Sequence, residues 1–145
     1  MPMPTQKMLP ALALLAGLTA CGTAPQAPTL LASLDALPGT QWTLAEPAVA
    51  TLPLGQQPEL QFVSATQVAG NSGCNRFAGA LRLGGGGLAM GPLAGTRRAC
   101  PGDLMQMEQR VLRALDATRG ARLEPGQLVL LDGRGNELAR WVQRR

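Results

Sequence analysis

Histidine and tyrosine are absent from the chain, and its only lysine is Lys7. The absence of histidine excludes Ser-His-Asp and Cys-His catalysis and every zinc site with histidine ligands. Aromatic residues make up only 3% of the sequence, so few side chains are available for stacking against a ligand. Carboxylates, hydroxyls and arginines are therefore the polar groups on which a site can be built.

The positive charges are almost all arginines, and they give the chain a formal net charge of +4. They are spread from Arg76 to Arg145 with no run longer than two, and they form no basic stripe with interleaved aromatics. Nucleic acid is therefore excluded as a partner. An anionic membrane surface or an acidic partner is compatible with this charge, but a solvated surface explains it equally well.

The composition predicts one small globular domain with many turns. Hydrophobic residues make up 46% of the 145-residue chain, and glycine and proline contribute 18 and 12 residues. A domain typically needs about 100 to 150 residues, so the chain has room for one.

The N-terminal residues 1–20 have the pattern of a signal peptide. Lys7 precedes an apolar run from Leu9 to Ala20 that ends in small residues. The run is shorter than the ~20 residues of a membrane-spanning helix. Export is expected, and after cleavage the chain would have no lysine, which excludes Schiff-base and Ser-Lys mechanisms.

The segment from Leu18 to Cys21 resembles the lipobox of bacterial lipoproteins. The resemblance implies that Cys21 is lipidated, becomes the first mature residue and holds the chain at a membrane. Residues 21–38 would be the lipidated N-terminus and a flexible tether. Gly22 follows the cysteine where an aspartate would resemble an inner-membrane retention signal, so the expected location is the outer membrane facing the periplasm if the host has two membranes. The alternative is a conventional signal peptide with Cys21 as an incidental thiol.

Cys74 and Cys100 remain as an even pair in an exported chain, which favours a disulfide. Their separation of 26 residues would make such a bond worth about 3 kcal/mol in the chain-entropy model. A metal site or two free thiols are the alternatives. Two thiolates without histidine do not complete a tetrahedral zinc shell.

Residues 39–145 read as a β-rich domain with one helix. Apolar residues at three- and four-residue spacing from Leu104 to Leu115 predict the helix, with Asp103 and Gln106 as a capping box and Gly120 at its end. The fold class is α+β: a curled, open barrel-like antiparallel sheet wrapped around one α-helix. Alternating or apolar runs predict strands over Gln41–Leu44, Glu59–Val63, Thr66–Ala69, Arg76–Leu83, Leu123–Leu131 and Glu137–Val142.

Four segments of this domain resemble the META domain of the heat-shock lipoprotein HslJ family. They are the GTQWTL run from Gly39, the GNSGCNRFAG run from Gly70, the LAGTRRACP run from Leu93 and the two C-terminal strands. The resemblance implies the same curled sheet, a Cys74–Cys100 disulfide and a role in envelope stress, without an agreed biochemical activity. Val111 and Gly84–Gly87 depart from the usual family pattern. The motif residues are Trp42, Gly73, Asn75, Arg76, Phe77, Gly79, Thr96 and Pro101.

The remaining acidic and glycine-rich segments give no catalytic, metal or cofactor site. Glu108 and Asp116 on the helix and Asp132 in a turn are interpreted as solvated or capping residues, although a two-carboxylate glycosidase stays formally open. Gly84–Gly87 lacks the lysine and helix of a phosphate-binding loop. The run from Asp132 to Glu137 has an arginine where a calcium loop needs an oxygen ligand, so it predicts a hairpin turn.

The best candidate for a binding site is a set of three arginines beside the predicted disulfide. Arg76, Arg97 and Arg98 would meet an anion such as a lipid phosphate or a carboxylate.

Together these features predict a non-enzymatic envelope lipoprotein that supports stress tolerance by binding a protein or an envelope component. A carrier of a small apolar ligand or lipid is the alternative, and an enzyme ranks third.

The lipidation of Cys21 is directly testable. Replacing Cys21→Ser should abolish fatty-acid labelling and release the chain from the membrane fraction, because a serine hydroxyl does not provide the thioether anchor. Metabolic labelling with a radioactive fatty acid and membrane fractionation are the measurements. Labelling that persists in the variant would contradict the prediction.

Overall fold

The structure is a computed structural model that describes residues 34–47, 52, 55–85 and 87–145. The predicted signal peptide, Cys21 and the first part of the predicted tether lie outside the described residues, as does Gly86. The proposals for those segments therefore stay predictions.

Eight antiparallel strands form one continuous sheet in the described part of the chain. Their order across the sheet is β5-β4-β3-β2-β1-β8-β7-β6. Consecutive strands are paired except β5 and β6, which form the two edges, and β8 pairs with β1. The strands are β1 (Gln41–Glu46), β2 (Glu59–Ser64), β3 (Gln67–Asn71), β4 (Arg76–Gly84), β5 (Gly87–Gly95), β6 (Gly120–Glu124), β7 (Gln127–Leu131) and β8 (Glu137–Gln143).

The sheet curls until its two edge strands approach each other at one end. There the Leu88 N–H of β5 donates to the Arg119 carbonyl just before β6, at 3.2 Å. Helix α1 (Gly102–Ala117) packs against β5 and fills the interior with Leu104, Met107, Val111 and Leu115. The α+β fold of a curled sheet around one helix is thus confirmed. The largest side chains sealed in the core are Trp141, Phe62, Leu37, Leu60, Leu88, Leu115, Leu128 and Leu130.

The ends of α1 differ from the sequence prediction. Pro101 occupies the N-cap, its carbonyl accepts the N–H groups of Leu104 and Met105, and no side chain caps the helix. Asp103 lies in the first turn, where its charge favours the positive end of the helix dipole. The helix ends at Ala117 because the buried Thr118 is extended, whereas Gly120 already begins β6.

No helix in the described residues is long and apolar enough to cross a membrane.

One strand was not expected from the sequence. β5 contains Gly91 and Pro92, which interrupt the polar–apolar alternation, and they lie where the register with β4 shifts between Gly79 and Leu81. Proline is tolerated on edge strands and at bulges, and β5 offers both. The predicted β region from Leu123 to Leu131 is divided into β6 and β7 by a turn at Pro125-Gly126, as the turn signal of that dipeptide predicts.

The packed domain begins earlier than the predicted boundary at Gly39. Leu34 and Leu37 are buried in the core, with 3% and 0% of their surfaces exposed, and the Gly39 N–H donates to the Phe62 carbonyl at 2.7 Å. The predicted tether, residues 21–38, therefore extends too far toward the C-terminus. The composition of this segment gave no sign that Leu34 and Leu37 belong to the core.

The β7–β8 connection is a self-contained turn. The Asp132 carboxylate accepts the N–H groups of Arg134 and Asn136 at 2.8 and 2.9 Å and the Asn136 side-chain amide at 2.9 Å. The Asn136 side chain, followed by its backbone N–H, lowers the pKa of Asp132 below its ordinary value. The oxygens of Asp132 are thus occupied within the turn.

Gly70 on β3 is a position where the fold requires glycine. A Cβ added there would collide with the Glu59 carbonyl and lie 2.6 Å from the ring of Phe77. Gly70→Ala should lower the free energy of unfolding by about 3 kcal/mol, measured by urea denaturation, because strand and ring must both shift.

Gly102→Ala is the matched control for this substitution. A Cβ at Gly102 meets nothing within 4 Å, and the position is helical, so this variant should be as stable as the parent or up to about 1 kcal/mol more stable. Equal stability of the two variants would show that the close approach at Gly70 is not a constraint.

Candidate functional site

A concave surface lies between helix α1 and the edge strand β5. It has a volume of about 330 Å³. β4, β5 and the preceding loop form one wall, and α1 forms the other. Its lining residues are Ser72, Asn75, Arg76, Phe77, Pro92, Leu93, Ala94, Gly95, Thr96, Glu108, Leu112 and Asp116. We call it the α1–β5 groove.

The helix runs antiparallel to β5 along this groove. Asp116 lies beside the start of the groove, where its Oδ1 is 3.8 Å from the position of a Cβ on Gly91. Glu108 lies at the other end, joined to Thr96 through Asn75. The helix therefore presents Glu108, Leu112 and Asp116, spaced four residues apart, along one wall.

A buried asparagine forms the floor at the Glu108 end. Asn75 is 3% exposed, and its Oδ1 accepts the Arg98 N–H at 2.7 Å and the Thr96 hydroxyl at 2.8 Å. Its Nδ2 donates to the Arg98 carbonyl at 3.1 Å and to Glu108 Oε1 at 3.2 Å. One amide therefore ties the β3–β4 loop, the exit of β5 and the helix together.

Glu108 completes this network from the helix. Its Oε2 accepts the Asn75 backbone N–H at 3.1 Å and lies 2.9 Å from the hydroxyl of the buried Ser72. The sequence interpretation of Glu108 as a solvated helix residue is wrong, because three protein groups converge on its carboxylate. The helix pattern carried part of the signal, because Glu108 lies four residues from both Leu104 and Leu112 and so borders the apolar stripe. Its partners Asn75 and Ser72 are distant in sequence, and no local pattern indicates them.

The disulfide closes the same end of the groove. Cys74 is bonded to Cys100, with their Cα atoms 6.2 Å apart, as predicted. Because Pro101 follows Cys100 and caps α1, the bond fixes the start of the helix to the β3–β4 loop.

The other residues singled out from the sequence hold the backbone around this network. Gly73 has a positive φ of 104°, and its N–H donates to Asn71 Oδ1 at 2.9 Å. Gly79 is in close contact with β5, since a Cβ there would lie 2.7 Å from the Leu93 side chain. Phe77 is buried at the groove wall. Trp42 lies apart on β1, where its Nε1 donates to the Thr40 hydroxyl at 2.7 Å.

Two of the three candidate anion-binding arginines line the same depression. Arg76 and Arg98 line a second surface depression together with Asn71, Cys74 and Thr96, but Arg97 is not among the residues that line it. Arg98 is partly engaged, because its Nη2 donates to the Cys74 carbonyl at 2.7 Å. An anion contact at Arg76 and Arg98 stays a prediction.

The carboxylates of the groove are poorly placed for glycoside hydrolysis. Glu108 and Asp116 are separated by eight helical residues, about 12 Å along the axis, whereas glycosidase carboxyl groups lie about 5 to 9.5 Å apart. Glu108 is also committed to Asn75 and Ser72. Within the described residues, no group of three or more cysteine and acidic side chains is arranged to hold a metal ion.

A second charged cluster lies on β6 and β8, and it is internally paired. Arg140 contacts Glu124 and Glu137 at 2.8 and 2.9 Å, and Arg122 contacts Glu124 at 2.8 Å. The hydrogen bonds from Arg122 and Arg140 lower the pKa of Glu124. By contrast, Asp116 has no ion-pair partner among the described residues.

The sequence profile of the META domain family matches residues 35–145. This chain belongs to the META domain family. The match covers the whole sheet and helix, so the groove and the Asn75 network both lie within the META domain.

Two solved structures share the fold. The first is the NMR structure of a protein from Burkholderia xenovorans, with 25% identity, a TM-score of 0.61 and coverage of 98% of this chain and 99% of that one. The second, also determined by NMR, has 24% identity and a TM-score of 0.57, and the alignment covers 74% of this chain and 92% of that one. No curated protein matches the chain at a significant level.

The amide of Asn75 is the part of the network most sensitive to substitution. Asn75→Asp replaces a donor with a carboxylate oxygen opposite Glu108 and the Arg98 carbonyl. We expect a loss of about 3 kcal/mol in the free energy of unfolding at neutral pH, measured by denaturant titration.

Asn136→Asp provides a matched control, because Asn136 also donates its side-chain amide to a carboxylate, that of Asp132, but it is exposed. Water screens the new charge there, so the loss should be less than about 1 kcal/mol. Similar losses of unfolding free energy in both variants would mean that burial of the Asn75 network does not increase the cost of the added carboxylate.

Proposed function

We propose that this protein is a non-enzymatic envelope lipoprotein whose META domain supports stress tolerance by binding a protein or another envelope component in the α1–β5 groove. The observation that carries the proposal is the free edge of β5. It borders a groove that combines the apolar side chains of Leu93 and Leu112 with the carboxylate of Asp116. An apolar centre with a few polar groups at its ends is typical of a recognition surface.

The N-terminal sequence supports the location. The lipobox-like Cys21 would anchor the chain, and the residues between it and Leu34 would give the domain reach from the membrane surface. A tethered domain meets its partners in the envelope at a high effective concentration, so a groove of modest affinity is sufficient.

The packing of the interior favours a surface binder over a lipid carrier. The space enclosed by the sheet is occupied by α1 and by fully buried side chains such as Phe62 and Trp141. An acyl chain would have to displace them, at the cost of the core contacts that stabilise the domain. The separation of Glu108 from Asp116 and the engagement of Glu108 with Asn75 and Ser72 likewise favour binding over hydrolysis.

Site-specific photocrosslinking in living cells tests the proposal. A benzophenone amino acid replacing Ala94, an exposed residue on the groove wall, should capture an envelope component. The same amino acid replacing Arg134, which is exposed on the β7–β8 turn, should not. The yield at Ala94 should fall in the Cys21→Ser background, where the domain is released from the membrane.

Equal crosslinking at Ala94 and Arg134 would contradict groove binding. A crosslink at Ala94 to phospholipid alone would replace the protein partner with a membrane surface.

A further inference from the structure

We infer that the α1–β5 groove takes an extended peptide segment that adds to β5 as a further strand, with an apolar residue opposite Leu112 and a basic residue opposite Asp116. This inference deepens the proposed function and rests on it, because it names the chemistry of the partner in the same groove.

The first support is the direction of the backbone groups of β5. The N–H of Thr96 donates to the Arg76 carbonyl, so Thr96 faces β4. Backbone groups alternate sides along a strand, so those of Gly95 and Leu93 point away from β4. In the described residues, no side chain or loop carbonyl accepts either N–H. These groups are the hydrogen-bonding template that strand addition uses.

The second support is the limited extent of the open edge. At the start of β5 the edge is blocked, because Leu88 already bonds Arg119 and a Cβ on Gly87 would lie 2.9 Å from the Arg119 carbonyl. The bulge at Gly91 and Pro92 then interrupts the regular alternation of the strand. The template thus runs from Leu93 to Thr96, alongside the wall formed by α1.

The third support is the match between helix and strand spacing. Glu108, Leu112 and Asp116 follow one another at about 6 Å along the helix. Alternate side chains of an extended strand follow at about 6.6 Å. A strand lying between α1 and β5 can therefore direct two successive same-face side chains at Leu112 and Asp116.

The lining of the groove determines which side chains of the bound peptide fit opposite Leu112 and Asp116. Leu112 and Leu93 make an apolar patch at its centre. Asp116 is exposed and has no ion-pair partner among the described residues, unlike Glu124 and Glu137. Arg76 lines the other end, near Thr96, so a cation is favoured at the Asp116 end of the groove.

The test uses the purified mature chain in detergent micelles and a peptide of sequence Gly-Arg-Thr-Leu-Thr-Arg-Gly. The palindromic arrangement places an arginine opposite Asp116 for either strand direction. NMR titration should shift the amide resonances of Leu93 to Thr96, and hydrogen exchange should slow at Leu93 and Gly95. A peptide with both arginines replaced by glutamate should bind at least ten-fold more weakly.

N-methylation of alternate residues separates strand addition from side-chain binding. An added strand turns every second N–H toward β5, so of the two peptides methylated in opposite phases one should lose binding and the other should keep it. Equal affinity of both would overturn strand addition.

Two surface variants test the basic residue. Asp116→Asn should weaken the arginine peptide about two- to five-fold. Asp103→Asn, an exposed position on the same helix but outside the groove, should leave the affinity unchanged. No effect of Asp116→Asn, or no shift in Leu93 to Thr96 at about 1 mM peptide, would overturn the inference. A groove-specific crosslink at Ala94 would still stand in that case, so the proposed function would survive with a different occupant.

Discussion

The side-chain amide of Asn75 is the interaction on which the rest of the site depends. It is buried, so its donors and its acceptor lone pairs need protein partners. It finds them on two segments, at Thr96 and Arg98 after β5 and at Glu108 on α1, and ties both to the β3–β4 loop that contains it. The Cys74–Cys100 disulfide reinforces the same junction covalently. The hydrogen bonds of this one amide, together with the disulfide, fix the position of α1 relative to the sheet edge.

The groove is a consequence of that junction. Asn75 and the disulfide hold α1 to the sheet at the Glu108 end, while Leu115 anchors the next turns in the core. The helix cannot slide over the edge of β5 without breaking these contacts, so a gap remains between them. The close approach of Gly79 to Leu93 fixes the other wall. The groove is thus held open by buried interactions on both sides, which suits recognition without rearrangement.

The sequence predicted those parts of the fold that local patterns encode. The apolar stripe from Leu104 to Leu115 identified the helix, and alternation identified most strands. β5 was missed because Gly91 and Pro92 interrupt its alternation. Pro92 is tolerated there because β5 is an edge strand with a bulge, and the edge position is a property of the whole sheet.

The candidate site was only partly predictable for the same reason. Motif resemblance singled out Asn75, Thr96 and Pro101, but the partner of Asn75, Glu108, lies 33 residues away in the sequence, and no local pattern pairs the two residues.

An unprotected sheet edge is normally a liability, because it offers unpaired backbone groups to any neighbouring chain. β5 limits that risk along most of its length: Arg119 caps its start, Pro92 interrupts it, and α1 shields it from the side. What remains is a short template beside Leu112 and Asp116. Such a template is too short to support indiscriminate pairing, since a few backbone hydrogen bonds add little net free energy in water. Contacts between the side chains of the ligand and those of α1 must supply the remaining binding free energy. The helix that shields the edge of β5 therefore also selects what binds there.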